Sequence, residues 1–212
     1  MNDSREGGLA GIAFVVFTLL WAFLLATADR PSYNSSDAAV SEFWSDSGNR
    51  RLLLLAALAL ALAGVALLWF LGSFRVVLRR AEGEPARLAT IAFAGGVALS
   101  VLLFVKNAIE GGLALALEFE QGFTLDPDVY RALNAVFLGL LIHEGFAAAV
   151  LIGAASLLVL RTRVFPRWLG WTGVAVALLA LLSWLIPGLP LVVVLAWILV
   201  ASVLMLRRPA PV

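Results

Sequence analysis

The chain has no cysteine, one histidine and one lysine among its 212 residues. The absence of cysteine excludes disulfides, thiolate metal sites and a cysteine nucleophile. A single histidine excludes a histidine-rich metal site and a bis-histidine haem site within one chain. Charge is scarce as well, because only 14% of the residues are charged, whereas soluble domains average about a quarter. These absences argue against a soluble thiol enzyme or metalloenzyme.

Apolar residues make up 62% of the chain, and they fall in blocks of about twenty, the length that a helix needs to cross the hydrocarbon core. No segment between the blocks is long enough to fold as a separate domain. We therefore predict an all-α integral membrane bundle of six transmembrane helices, forming a single domain over residues 1–212. The predicted spans are 8–28, 52–73, 88–106, 136–160, 169–186 and 191–206.

Features between the blocks refine this prediction. Val40, Phe43 and Trp44 recur at helical spacing inside the polar stretch 31–49, which predicts a short interfacial helix over 38–44. Asp126 and Pro127 are typical of an N-cap followed by a first-turn proline. A helix that starts there and runs to residue 162 is longer than a bilayer requires, so we expect its first turns to lie outside the hydrocarbon core.

The distribution of basic residues predicts the orientation. Six spans place both termini on one side, and ten arginines fall on that side: Arg5, Arg75, Arg79, Arg80, Arg87, Arg161, Arg163, Arg167, Arg207 and Arg208. Five basic residues fall on the opposite side: Arg30, Arg50, Arg51, Lys106 and Arg131. The positive-inside rule then places both termini in the cytoplasm. The Ala-, Leu- and Arg-rich composition favours a bacterial cytoplasmic membrane.

The cytoplasmic arginines have two explanations. They could contact anionic lipid headgroups, or they could serve topology alone. The candidates for headgroup contacts are Arg79, Arg80, Arg87, Arg161, Arg163 and Arg167. The lipid bilayer is therefore the first predicted partner, and nothing indicates binding to nucleic acid.

Four ionisable residues fall within or beside apolar runs: Lys106, Glu110, His143 and Glu144. Counted from the cytoplasmic ends of their helices at about 1.5 Å per residue, they share one level about 27 Å across, near the outer edge of the core. The functional interpretation is an outward-facing polar cluster in which His143 or Glu144 exchanges a proton or binds a cation. The structural interpretation is an ion pair of Lys106 with Glu144 or Glu110, with Lys106 snorkelling to the interface.

Other chemistry finds little support. Spacings such as H-x-x-x-H or E-x-x-H are absent, and so is the G-x-S-x-G pattern of serine hydrolases. We therefore predict neither a metal site nor a cofactor, and we assign no catalytic residue. Small residues at 95–96, 111–112, 147–149 and 153–155 predict close packing of the third and fourth spans. The same faces could instead bind a second copy or another protein.

Several short motifs carry a resemblance to a known family. They are Phe43-Trp44, Asn49–Arg51, Leu68–Gly72, Leu78–Gly83, Leu125–Pro127 and Phe165–Trp171. In these the chain resembles a "domain of unknown function" family of uncharacterised, mostly actinobacterial multi-pass membrane proteins. The resemblance implies the membrane architecture. It implies no activity, and His143-Glu144 is not part of the family pattern.

Three classes of function remain open at this point. The first is a non-catalytic membrane protein with an accessory, sensory or lipid-contacting role. The second is a small proton- or cation-coupled transporter that uses the four-residue cluster. The third is a membrane enzyme acting on a lipid or isoprenoid, with Glu144 or His143 as general acid, which would require an apolar cavity reaching those residues.

Overall fold

The computed structural model describes residues 3–120 and 122–207, and within these ranges the secondary structure is helical, without strands. Seven α-helices and one turn of 3₁₀ helix follow each other along the chain. Their bounds are α1 Asp3–Thr27, α2 Asp37–Ser45, α3 Ser47–Glu82, α4 Arg87–Phe119, α5 Pro127–Thr162, α6 Arg167–Leu181, the 3₁₀ turn Leu182–Trp184, and α7 Leu189–Leu206.

Five of these helices are long and apolar enough to cross a membrane: α1, α3, α4, α5 and α6 with its 3₁₀ extension. A sixth apolar stretch in α7, Leu191–Leu206, is shorter. The chain therefore has the composition and helix lengths of a multi-pass membrane protein. The short helix predicted over 38–44 is present as α2, Asp37–Ser45. Asp126 caps α5 through the amides of Asp128 and Val129, with Pro127 in the first turn.

The largest difference from the predicted bounds is at α4, which continues from Lys106 to Phe119 without a break. Of the two glycines that interrupt the apolar run, Gly111 is a packing site, whereas a methyl group added at Gly112 would meet nothing within 4 Å. A methyl group added at Gly111 would lie 2.9 Å from Cβ of Ala57 on α3. A glycine is therefore required there for the close approach of two helices, and it does not end α4.

Six helices, α1 and α3 to α7, form a closed ring. Each packs on the next in chain order, α1 on α3, α3 on α4, α4 on α5, α5 on α6 and α6 on α7, and α7 returns to α1. Gly95 of α4 lies so close to α5 that an added Cβ would be 2.6 Å from the backbone nitrogen of Leu151. The small residues at 95–96 and 111 are thus used for packing within this chain.

The short helix α2 lies across one end of the ring, here called the α2 end. It packs on α3 and α5, and a second apolar core forms beneath it, which includes Val40, Trp44 and Tyr130. The loop before α2 is tied to α5 by two hydroxyl groups. Tyr33 Oη donates to the carbonyl of Asn134 at 2.8 Å, and Tyr130 Oη donates to the carbonyl of Pro31 at 2.8 Å.

Candidate functional site

An ion pair between Lys106 of α4 and Glu144 of α5 lies inside the ring. Nζ of Lys106 is 2.7 Å from Oε1 of Glu144 and 2.9 Å from Oε2, to which it donates a hydrogen bond. The side chains are 1% and 6% exposed. Because an isolated charge is costly at such burial, each of the two groups depends on the other. This confirms the predicted Lys106–Glu144 pair.

Lys106 does not snorkel. Its ammonium group lies 4.5 Å from the ring centroid of Trp21 on α1 and 5.5 Å from that of Phe137 on α5. Aromatic faces attract cations electrostatically, so these rings replace part of the hydration that the ammonium group has lost. The predicted route of the side chain to the membrane interface is closed, because α1 and α5 cover it.

A second ion pair lies towards the α2 end. Glu110 is one helical turn beyond Lys106 on α4, and it pairs with Arg30 from the loop after α1 rather than with Lys106. Cζ of Arg30 lies 4.8 Å from the ring centroid of Phe137, which therefore borders both cations. Burial lowers the pKa of Arg30 from its ordinary value, since the charged guanidinium has lost water.

His143 stands apart from both pairs. Its side chain is exposed on the outside of the ring, and Nδ1 lies 2.7 Å from the carbonyl oxygen of Gly139 one turn earlier. Consecutive residues on an α-helix point about 100° apart. The inward direction of Glu144 therefore turns its neighbour His143 outward. The structure brings Lys106 and Glu144 together, adds Glu110 through Arg30, and leaves His143 outside the cluster.

The depth of the Lys106–Glu144 pair in the membrane also differs from the depth estimated by counting residues along α4 and α5. Glu144 shares a cavity with Thr18, which lies midway along the apolar run 9–26 of α1. That run is about 27 Å long and matches the hydrocarbon core by itself. The depth estimated from the sequence was counted from Leu88, near the start of α4. That start lies outside the core, because Gly7 at the beginning of α1 packs against Ser73, and α3 continues from there to Glu82 before α4 begins. The α1 register thus places Glu144 near mid-span.

The cavity beside Glu144, here called the central cavity, has a volume of about 30 Å³ open to the centre of a water molecule. Its wall is mostly apolar, with Glu144 the one ionisable group and Thr18 and Ser183 the hydroxyls. Both hydroxyls are already bound, Thr18 to the carbonyl of Phe14 at 2.8 Å and Ser183 to that of Ile142 at 3.0 Å. Such a space suits one or two waters.

Three members of the site were missed from the sequence. The sequence patterns single out neither Trp21 nor Phe137, and Arg30 enters them only as one of the basic residues that set the orientation. The only available signal was that Arg30 is one of few cations on its side of the predicted topology. All five of those cations pair with acids in the structure: Arg30 with Glu110, Arg50 and Arg51 with Glu118, Lys106 with Glu144, and Arg131 with Asp37 and Asp128.

The predicted headgroup-contacting arginines are all exposed: Arg79, Arg80, Arg87, Arg161, Arg163 and Arg167. They lie around the two short connections at the end opposite α2. Arg79 also pairs with Glu84 at 2.5 Å. In the part of the chain that the structure describes, no three His, Asp or Glu side chains come together in a way that could hold a metal ion.

No protein-family model, no curated protein and no solved structure matches this chain, so its family remains the prediction drawn from its short motifs.

Proposed function

We propose that the chain is a six-span protein of a bacterial cytoplasmic membrane, with both termini in the cytoplasm. Closure of the ring supports the count, because α7 packs between α6 and α1 as a full member of the bundle. The arginine excess in the sequence, ten on the predicted cytoplasmic side against five basic residues on the other, supports the orientation; Arg208 lies outside the residues that the structure describes. In this orientation the exposed arginines contact anionic headgroups, and the α2 end faces outward.

We propose further that the protein is a small carrier that moves protons across the membrane. The observation that carries the proposal is the Lys106–Glu144 pair, fully inside the ring and bordering the central cavity near mid-span. Ionisable residues at such depth are rare and mark proton or ion pathways. Glu144 alternates between an ion pair with Lys106 and a neutral, protonated carboxyl, and Lys106 supplies the balancing charge.

The size of the central cavity limits what can reach Glu144. Pockets that hold small organic ligands measure about 300–1,000 Å³. The central cavity offers about 30 Å³, which suits a proton carried by water. An enzyme acting on a lipid or isoprenoid would need a much larger apolar cavity at Glu144. The volume therefore favours proton transfer over lipid chemistry.

A non-catalytic role is the second candidate, and one observation favours it. Each buried acid already has a cation beside it, Lys106 for Glu144 and Arg30 for Glu110. Two neutralised pairs can act as fixed contacts that align α1, α4 and α5. In that case the protein would serve as an accessory, sensory or lipid-contacting subunit, and no proton would move through it.

Proton flux in reconstituted liposomes distinguishes these functions. Purified protein is placed in vesicles with a pH-sensitive dye inside, and a pH gradient is imposed. The wild type is expected to dissipate the gradient faster than empty vesicles, and Glu144→Gln is expected to remove that excess. Glu120→Gln is the matched control, because Glu120 is an exposed acid at the end of α4, away from the central cavity. Wild-type vesicles that leak no faster than empty ones would overturn the carrier and support the non-catalytic role.

A further inference from the structure

A second, smaller cavity lies between the Lys106–Glu144 pair and α2; we call it the α2-side cavity. It has about 10 Å³ open to the centre of a water molecule. Its lining includes Arg30, Trp44, Glu110, Tyr130 and Phe137. One water molecule needs about 10–15 Å³ by this measure, so the space suits a single water and nothing larger.

One buried polar atom of this lining, Nε1 of Trp44, has no hydrogen-bond partner, and its residue is 4% exposed. Buried polar atoms are nearly always hydrogen-bonded, by protein or by ordered water. Oε1 of Glu110, on the same lining, pairs with Arg30, and a carboxylate oxygen can accept a second hydrogen bond. Water both accepts and donates, so one molecule can accept from the indole N–H and donate to Glu110.

The position of this cavity connects the candidate site with solvent. Arg30 lines it from one side and also lines an open groove beneath the loop before α2, together with Asp29, Ser32 and Glu42. On the other side the ring of Phe137 lines the cavity and lies 5.5 Å from Nζ of Lys106. The cavity therefore stands between a solvent-open groove and the buried Lys106–Glu144 pair.

We propose that the α2-side cavity binds one water molecule, held by Nε1–H of Trp44 and Oε1 of Glu110, and that this water forms the outer end of the proton route to Glu144. The water accepts the hydrogen bond of the indole and donates one to Glu110. Protons arrive from the groove past Arg30 and reach Glu110 through the water. Lys106 then gives its own proton to Glu144, to which it is hydrogen-bonded, and takes one from Glu110, one turn away on α4. The route rests on the proposed carrier function, whereas the water site does not.

The water site is tested on the wild-type protein by a crystal structure at a resolution that orders water. The expected result is a water peak within hydrogen-bond distance of both Trp44 Nε1 and Glu110 Oε1. An empty cavity, or an indole bonded to a protein atom, would overturn the site and the route with it. This experiment requires no flux measurement, so it tests the water site separately from the carrier function.

The route is tested by proton flux through Trp44→Phe, which keeps an aromatic ring against Phe43 and Tyr130 but removes the donor. We expect at least a fivefold loss of flux. Trp69→Phe is the matched control, because Trp69 is 63% exposed on the outside of α3, and it should keep wild-type flux. Equal flux in the two variants would refute the route while leaving the carrier intact. If Trp44→Phe does not fold, Glu110→Gln replaces it, with the same loss expected.

Discussion

Lys106 lies within reach of two acids, and a double-mutant cycle shows which one stabilises it. Lys106→Met and Glu144→Met remove the charges while roughly keeping side-chain volume. Breaking a buried ion pair from one side costs about 3–5 kcal/mol, because the remaining charge is left without a partner. The two side chains are 1% and 6% exposed, so each single variant should fall in that range.

The double variant should be far less destabilised than the sum of the two single variants. Replacing both members by apolar residues of similar volume removes the desolvation cost together with the attraction, which is often neutral for stability. We therefore expect the double variant within about 1 kcal/mol of wild type. Since the two single costs sum to about 6–10 kcal/mol, the coupling free energy should be at least about 5 kcal/mol. The free energy of unfolding is measured by titrating SDS into mixed micelles and following helix content.

The matched control is the cycle of Lys106→Met with Glu110→Met. These residues are four apart on α4, but Glu110 pairs with Arg30 in the structure. The coupling in this cycle should stay near the roughly 0.2–0.5 kcal/mol of ordinary helical neighbours. Additive effects in the first cycle, or a larger coupling in the control cycle, would refute the arrangement of the two pairs described above.

Further predictions concern packing, His143 and topology. Gly145→Ala should destabilise the protein by about 1–3 kcal/mol in the same SDS titration, because the new methyl group would lie 2.8 Å from a carbonyl oxygen on α6. Gly153→Ala, whose nearest neighbour would be 3.5 Å away, should be neutral or stabilising, and equal losses would contradict this account of α5. His143→Ala should change the free energy of unfolding by less than about 0.5 kcal/mol and leave proton flux unchanged, since the side chain is exposed. A loss of proton flux in this variant would show that His143 belongs to the site. Because the chain has no cysteine, Ser32→Cys and Glu84→Cys give single thiols for an impermeant maleimide, and only the first should react from outside intact cells.

Much of the fold follows from local sequence patterns. Runs of apolar residues predict helices because a backbone in hydrocarbon must satisfy its own hydrogen bonds. Asp126 and Pro127 mark the start of α5 because capping and proline geometry act within one turn. The short helix α2 could be recognised because the helical spacing of Val40, Phe43 and Trp44 is also a local pattern. The extension of α4 beyond Lys106 could not, since Gly111 is explained only by the contact with α3.

The candidate site was predictable only in part. The sequence by itself determined that Lys106, Glu110 and Glu144 lie in apolar helices, where each needs a partner. Tertiary structure decided the partners: Glu144 is 38 positions from Lys106, and Arg30 reaches Glu110 from the loop after α1, where the sequence indicates no pairing. It also decided the depth of the pair and the two cavities, because these depend on how far each helix slides along its neighbours. Hydrophobic periodicity reports which face of a helix is buried, whereas pairing, depth and enclosed volume are properties of several helices packed together.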